Sequence, residues 1–165
     1  MYSDKKVLKI LAIIVLVVLV AALVVSNLSY ISVWKYHAKL YDYAVDWINE
    51  DFASANQVGL DGDGPLAVEI AFIIETQDKY DEVFVDGLEI EKVDFDTQMI
   101  VLYTFMDVYH RQNFLTKISV MDEVLQITFR MEKKQGVGDA SMPYQHWMVV
   151  VMDKLDVDSV VFEYQ

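Results

Sequence analysis

The chain has 165 residues, with 13 Lys plus Arg against 26 Asp plus Glu, a formal charge of −13, and no cysteine. That length holds one ordinary core plus an appendage and excludes two large domains. The acidity excludes the basic footprint of a nucleic-acid binder, and the lack of cysteine excludes a disulfide framework or a lipidated thiol.

Apolar residues make up 55% of the chain, and the excess lies at the front. From Ile10 to Val25 the sequence ILAIIVLVVLVAALVV contains no polar residue, and Val7 and Leu8 extend it across Lys9. A helix of about 20 residues spans the hydrocarbon layer of a bilayer, so residues 7–25 predict a transmembrane anchor. Lys5, Lys6 and Lys9 precede the run, which places the N-terminus in the cytoplasm and the rest outside the cell membrane. A cleaved signal sequence with Val24 and Ser26 at its cleavage site is the competing reading, whereas Tyr30, Trp34 and Tyr36 fall where an interfacial aromatic belt would sit. Without Asp4 and the three leading lysines, the outer part has 10 basic against 25 acidic residues. Such acidity serves solubility more readily than a specific partner.

Three parts follow: residues 1–26 as cytoplasmic stub and anchor, 27–58 as an amphipathic helical segment, and 59–165 as one β-rich extracytoplasmic domain. Trp34, Ala38, Tyr41, Val45 and Ile48 recur at helical spacing with acidic residues between them, which predicts one amphipathic helix from Trp34 to Phe52. Ser54 to Pro65 is a loop of glycines and short polar residues. Val68, Ile70, Phe72 and Ile74 then alternate with Ala67, Glu69, Ala71 and Glu75, as in a half-buried strand. Residues 78–94 carry two signals: DKYDEVF suits a helical turn, whereas the Asp86-Gly87 pair suits a hairpin. Met99 to Met106 reads as a buried strand, Lys117–Met121 and Glu123–Met131 as an antiparallel hairpin with one wet face, His146–Met152 as a strand buried on both faces, and SVVFEY as the last strand. The expected class is α+β, mainly antiparallel β, with five to seven strands behind the anchor and the amphipathic helix.

Ser141, Tyr144 and His146 stand within six residues of one another. A nucleophilic serine needs a base oriented by a carboxylate, and DASMP lacks the glycines of a nucleophile elbow. Ser141 therefore reads as a loop residue and His146 as a strand-edge residue, and no catalytic residue is assigned. Asp61 and Asp63 in DGDG resemble the start of a calcium loop, but Pro65 and Leu66 follow where oxygen ligands would be needed, so residues 61–64 read as an acidic turn and no metal is assigned. His37, His110 and His146 lack close His or Cys companions for zinc, and QGVGDA lacks the ending of a phosphate loop, so no cofactor is implied. Tyr144 and Trp147 are the protein-interaction candidates, since aromatic side chains are enriched at interface centres as well as in cores.

The second half, in the order VDFDTQMIVLYTF, TKISVM, EVLQITFRMEKK, GVGDASMPY, HWMVVVM and SVVFEY, resembles the C-terminal domain of PrcB-type protease complex subunits over about residues 67–165. Asp94-Phe95 and Pro143-Tyr144 are its most specific parts. The resemblance implies a small extracytoplasmic β-rich domain that accompanies a surface protease without being one. Where a glycine-rich turn would precede TKISV, this chain has DVYHRQNFL.

The function expected is that of a single-pass membrane protein whose outer domain binds another extracytoplasmic protein without catalysis. A pilin-like structural subunit is one alternative, although VLKILAIIV lacks a prepilin cleavage site. A hydrolase using Ser141 or His146 is the other.

Overall fold

A computed structural model describes residues 13–20, 32–42, 47–59, 69–85, 90, 92–109, 111–133 and 143–165. Besides the helical residues 13–20 and 32–35, seven strands and two helices are arranged in three layers. The strands are β1 (Lys39–Asp42), β2 (Glu69–Ile74), β3 (Gln98–Asp107), β4 (Arg111–Met121), β5 (Val124–Lys133), β6 (Tyr144–Asp153) and β7 (Ser159–Tyr164). The helices are α1 (Glu50–Ala55) and α2 (Gln77–Val83). The class is α+β and mainly β.

One sheet has the order β1-β6-β3-β2, the other β4-β5-β7. β3 and β6 pair antiparallel along their full length, from Gln98↔Asp153 to Asp107↔Tyr144. Alternation then gives each of them two faces to bury. Met99, Val101, Tyr103 and Phe105 of β3, with Met148, Val150 and Met152 of β6, pack on Ile118, Leu125, Ile127 and Phe129 of the second sheet. Ile100, Leu102, Trp147, Val149 and Val151 instead meet Phe52, Ala53, Val83 and Phe84 from the helical layer. The continuous apolar runs of these strands are thus explained by a sheet covered on both sides, by a second sheet on one and by helices on the other.

Several local signals shape the chain. Asn49 caps α1 by accepting from the Asp51 amide at 2.9 Å, and Thr76 caps α2 by accepting from the Lys79 amide at 3.3 Å; a short polar side chain satisfies a first-turn donor in each. The helical branch of residues 78–94 is therefore the one adopted over 77–83, while Asp86 and Gly87 lie outside the described residues. Asp94 turns the chain into β3: its Oδ1 accepts from the Asp96 amide at 3.1 Å and its carbonyl from the Gln98 amide at 2.7 Å. Pro143, lacking a donor, stands immediately before β6. The β4–β5 hairpin turns through Asp122 and Glu123, with φ of 52° and 63°. Two successive left-handed residues match the right-handed strand twist, as in type I′ turns, here without the usual glycine.

One expectation is corrected. No helix runs from Trp34 to Phe52. Residues 32–35 make one helical turn, His37 breaks it with φ of 47°, β1 follows, and Asn49 starts a new short helix. The backbone of β6 offers a free ladder, and β1 fills it at Lys39↔Val151 through Asp42↔Met148; completing that ladder and burying Leu40 and Tyr41 outweighs the helical periodicity of the segment. The pairing is mainly antiparallel, as expected, with one exception: β7 runs parallel to β5. β6 ends at the end of the sandwich where β5 begins, and the Asp158 amide donates to the Glu123 carbonyl at 2.9 Å, so β7 must start there and run alongside β5.

Of the expected anchor, only residues 13–20 are described; they are helical and exposed. Among the described residues no helix is long and apolar enough to cross a membrane.

Candidate functional site

The inter-sheet core is apolar at its centre and polar at one end. β1 supplies Asp42, β3 Asp107, β4 Arg111 and Asn113, β5 Met131 and Lys133, and β6 Tyr144 and His146. These strand ends meet because β3 and β6 are in register, which sets Asp107 beside Tyr144 and Phe105 beside His146.

Asp42, Asn113 and His146 form a buried clasp. His146 Nε2 lies 2.7 Å from Asp42 Oδ1. The Asn113 amide donates to Asp42 Oδ2 at 3.1 Å, and Asn113 Nδ2 donates to Oδ1 at 3.0 Å. An ionised carboxylate only accepts, so the imidazole carries its proton on Nε2 and donates it to Asp42. Burial acts to raise the Asp42 pKa, but the hydrogen bonds from His146 and Asn113 and the charge of His146 together hold it below its ordinary value. The clasp joins both sheets across three strands. It also covers the free edge of β4, where the amide of Asn113 finds Asp42 and, further along, that of Ile118 finds Ser32 Oγ at 3.0 Å. An exposed β-edge is a liability, and side chains from the segment 32–42 satisfy it here.

His146 therefore does not stand at a strand edge as expected. It is only 2% exposed, on a central strand facing the second sheet, with its ring 5.1 Å from that of Phe105. The pair has the carboxylate–imidazole half of a nucleophile-activating triad, with the imidazole buried and the carboxylate 16% exposed. Ser141, Asp61 and Asp63 lie outside the described residues. Among the described residues no three His, Cys, Asp or Glu side chains converge on a metal site.

A second polar group closes the opposite margin of the same inter-sheet space. Tyr164 donates to the Tyr103 hydroxyl, which donates to Glu69 Oε1 at 2.7 Å. Burial first, and for Tyr103 the hydrogen bonds to Tyr164 and Glu69 as well, raise both phenol pKa values, so both stay protonated. Phe162 stacks on Tyr103 at 3.7 Å between ring centroids, and Phe105 and Phe129 extend the cluster. This belt is structural in chemistry: it satisfies hydroxyls and fills volume.

At the polar end the space opens to a cavity of about 380 Å³ lined by Tyr109, Arg111, Met131 and Lys133. Asp107 shapes its rim. Its Oδ1 accepts from the amides of Val108 and Tyr109 at 2.7 and 2.9 Å, while Oδ2 lies 3.7 Å from Arg111 Nε. Arg111 stacks over the Tyr109 ring at 4.7 Å and Lys133 approaches the same ring at 5.6 Å.

Of the two interaction candidates, the structure leaves one on the surface. Tyr144 is half-buried, its hydroxyl donating to the Tyr109 carbonyl at 3.0 Å, at the cavity end. Trp147 is corrected to a core residue: it is 1% exposed and packs against the helical layer, because it alternates with His146 and Met148 on a strand covered on both faces. Sequence reasoning missed Asp42, Asn113, Arg111, Met131 and Lys133. Their proximity depends on pairings distant in sequence, and Arg111 meets Lys133 only through a β-bulge between Leu115 and Lys117.

No protein-family model, curated protein or solved structure matches the chain.

Proposed function

We propose that this chain is a single-pass membrane protein, N-terminus inside, whose extracytoplasmic domain binds another extracytoplasmic protein without catalysis, as an accessory or regulatory subunit of a surface protease. The observation that carries this reading is the polarity of the sandwich. The chain enters at one end: the Asp153 amide donates to the Tyr36 carbonyl at 3.0 Å, and His37 Nδ1 lies 2.8 Å from Asp153 Oδ2. The cavity lies at the other end, beyond Tyr144, a full strand length of roughly 30 Å away.

Between Val25 and Ser32 the chain can span at most about 25 Å. An anchor over residues 7–25 would hold the Ser32 end near the bilayer and point Tyr109, Arg111 and Tyr144 away from it. Trp34, 84% exposed at the entry end, supports the same orientation, since indole rings favour the membrane interface. The burial of His146 supports a binding role over a hydrolytic one. The resemblance over residues 67–165 supports the protease-associated form of the reading.

The test is site-specific photo-crosslinking with the full chain in native membranes. A photoreactive phenylalanine analogue at Tyr109 or Tyr144 should give discrete protein adducts, whereas the same analogue at Met121, exposed at the entry end, should not. Equal adducts from all three positions, or none from Tyr109 and Tyr144, would overturn the proposal.

A further inference from the structure

The entry end of the sandwich exposes apolar side chains from two separate parts of the chain. Trp34 is 84% exposed, Met121 59% and Val120 39%; outside residues 13–20, Trp34 and Met121 are the most exposed large hydrophobic side chains among the described residues. Single exposed apolar residues are ordinary, whereas a group gathered at one end marks a contact surface. Val120 and Met121 close β4 immediately before the tight turn at Asp122 and Glu123, and Val120 continues the face of the buried Ile118 to the end of the strand. The Ser32 hydroxyl accepts from the Ile118 amide at 3.0 Å, which sets the helical turn 32–35 beside the last residues of β4. Val33 and Tyr36 pack on the inter-sheet core, and the Tyr36 carbonyl accepts from the Asp153 amide at 3.0 Å. The turn that carries Trp34 is thereby fixed to the folded body.

We infer that Trp34 and the tip of the β4–β5 hairpin, Val120 and Met121, form a rim that rests in the headgroup layer of the bilayer holding the anchor. The occupant is a lipid surface because of where the chain comes from. Residues 13–20 are an exposed apolar helix. An anchor over residues 7–25 holds the Ser32 end within about 25 Å of the bilayer, the most that the chain from Val25 to Ser32 can span. The side chains suit that layer: an indole ring favours the interface, and a thioether adapts to an irregular surface. Lys35, exposed beside Trp34, holds its Nζ 4.8 Å from the centre of the Tyr36 ring, as an amphipathic stem does where apolar surface meets headgroups. Asp122 and Glu123 are exposed at the tip, and carboxylates are costly to take out of water. The rim therefore stops at headgroup depth and gains nothing from anionic lipid. Two contacts on one rigid body, added to the anchor, fix the tilt of the domain, and Tyr109 and Tyr144 then face outward at a height of roughly 30 Å. The contact rests on the anchor of the proposed function and deepens that reading, since it makes the orientation of the domain a property of the folded body.

The experiment uses the full chain, one copy per phosphatidylcholine nanodisc, with methyl-labelled methionine followed by NMR. The probe is phosphatidylcholine carrying a nitroxide near the headgroup end of one acyl chain. Met121 should lose its methyl signal when the labelled lipid is present. Met106, 45% exposed at the far end of β3, should keep it, because it stands roughly 30 Å away. Met121→Leu and Met106→Leu assign the two signals, and the buried Met99 and Met148 report that the fold is intact. Trp34 fluorescence, taken as the difference between the parent and Trp34→Phe, should be quenched by the same lipid. Met121 and Met106 both retained, or both lost, overturns the inference, and so does quenching of Trp34 with Met121 retained. In each of these cases protein adducts at Tyr109 and Tyr144 leave the protein-binding function standing. A chain that does not stay with the discs overturns the anchor and the rim together.

Discussion

His146 Nε2 and Asp42 Oδ1 lie 2.7 Å apart, although 104 residues separate them in the chain, and Asn113 of the opposite sheet donates to the same carboxylate. Because Asp42 is held below its ordinary pKa of 3.8 in the folded state, the unfolded chain takes up that proton first as pH falls. The clasp therefore contributes its full stability above about pH 4 and loses it as pH falls through the folded-state value. Urea unfolding between pH 3 and 7 should show this loss in the parent and a flatter profile in Asp42→Asn. At pH 7, Asp42→Ala should cost about 3 kcal/mol, because it leaves His146 and Asn113 buried without their acceptor. An unchanged urea midpoint in Asp42→Ala would mean that the clasp contributes nothing to stability.

Tyr144 and Trp147 should separate cleanly. Trp147→Ala opens a large cavity under the helical layer and should lose about 3–5 kcal/mol, which unfolding monitored by far-ultraviolet circular dichroism would report. Tyr144→Phe removes one hydrogen bond at the margin, to the Tyr109 carbonyl, and should cost about 1 kcal/mol or less. A binding defect in Trp147→Ala with unfolding unchanged would contradict the core placement.

What the sequence made legible follows range of interaction. β3 and β6 were readable because a strand covered on both faces must be apolar throughout, and the β4–β5 hairpin because its alternation is local. The segment Trp34 to Phe52 misled because apolar residues at helical spacing also suit a short strand and a separate helix, and nothing local records that β6 has a free edge for β1 to fill. Asn49 followed by Glu50 and Asp51 was the available signal of a new helix start. The parallel placement of β7 depends on which end of the sandwich β6 exits. The polar end was illegible for the same reason. Asp42, Asp107, Arg111, Asn113 and His146 come from four strands, and the bulge at Thr116 decides which face Arg111 occupies.

The turn of the β4–β5 hairpin should be improvable. Glu123 holds φ of 63° without being glycine. Glu123→Gly removes the penalty of a side chain in the left-handed region while keeping the backbone carbonyl that accepts from Asp158, and Asp122→Asn with it gives the Asn-Gly pair favoured in such turns. The double substitution should raise stability by about 1 kcal/mol with the denaturant slope unchanged. A lowered midpoint would indicate that the Glu123 side chain makes a contact more valuable than the strain it bears.

Membrane orientation can be read chemically, because the native chain has no cysteine to confuse the signal. A single cysteine at Glu163, exposed on the outer face of β7, should react with a membrane-impermeant maleimide in intact cells. One placed at Ser3 should react only after permeabilisation, as the proposed N-inside anchor predicts. A cleaved signal sequence gives a different pattern: the Ser3 label never appears on the mature chain, and the Glu163 label moves to the soluble fraction. Labelling at Ser3 in intact cells would reverse the topology and place the acidic domain, with its Arg111–Lys133 cavity, on the cytoplasmic side.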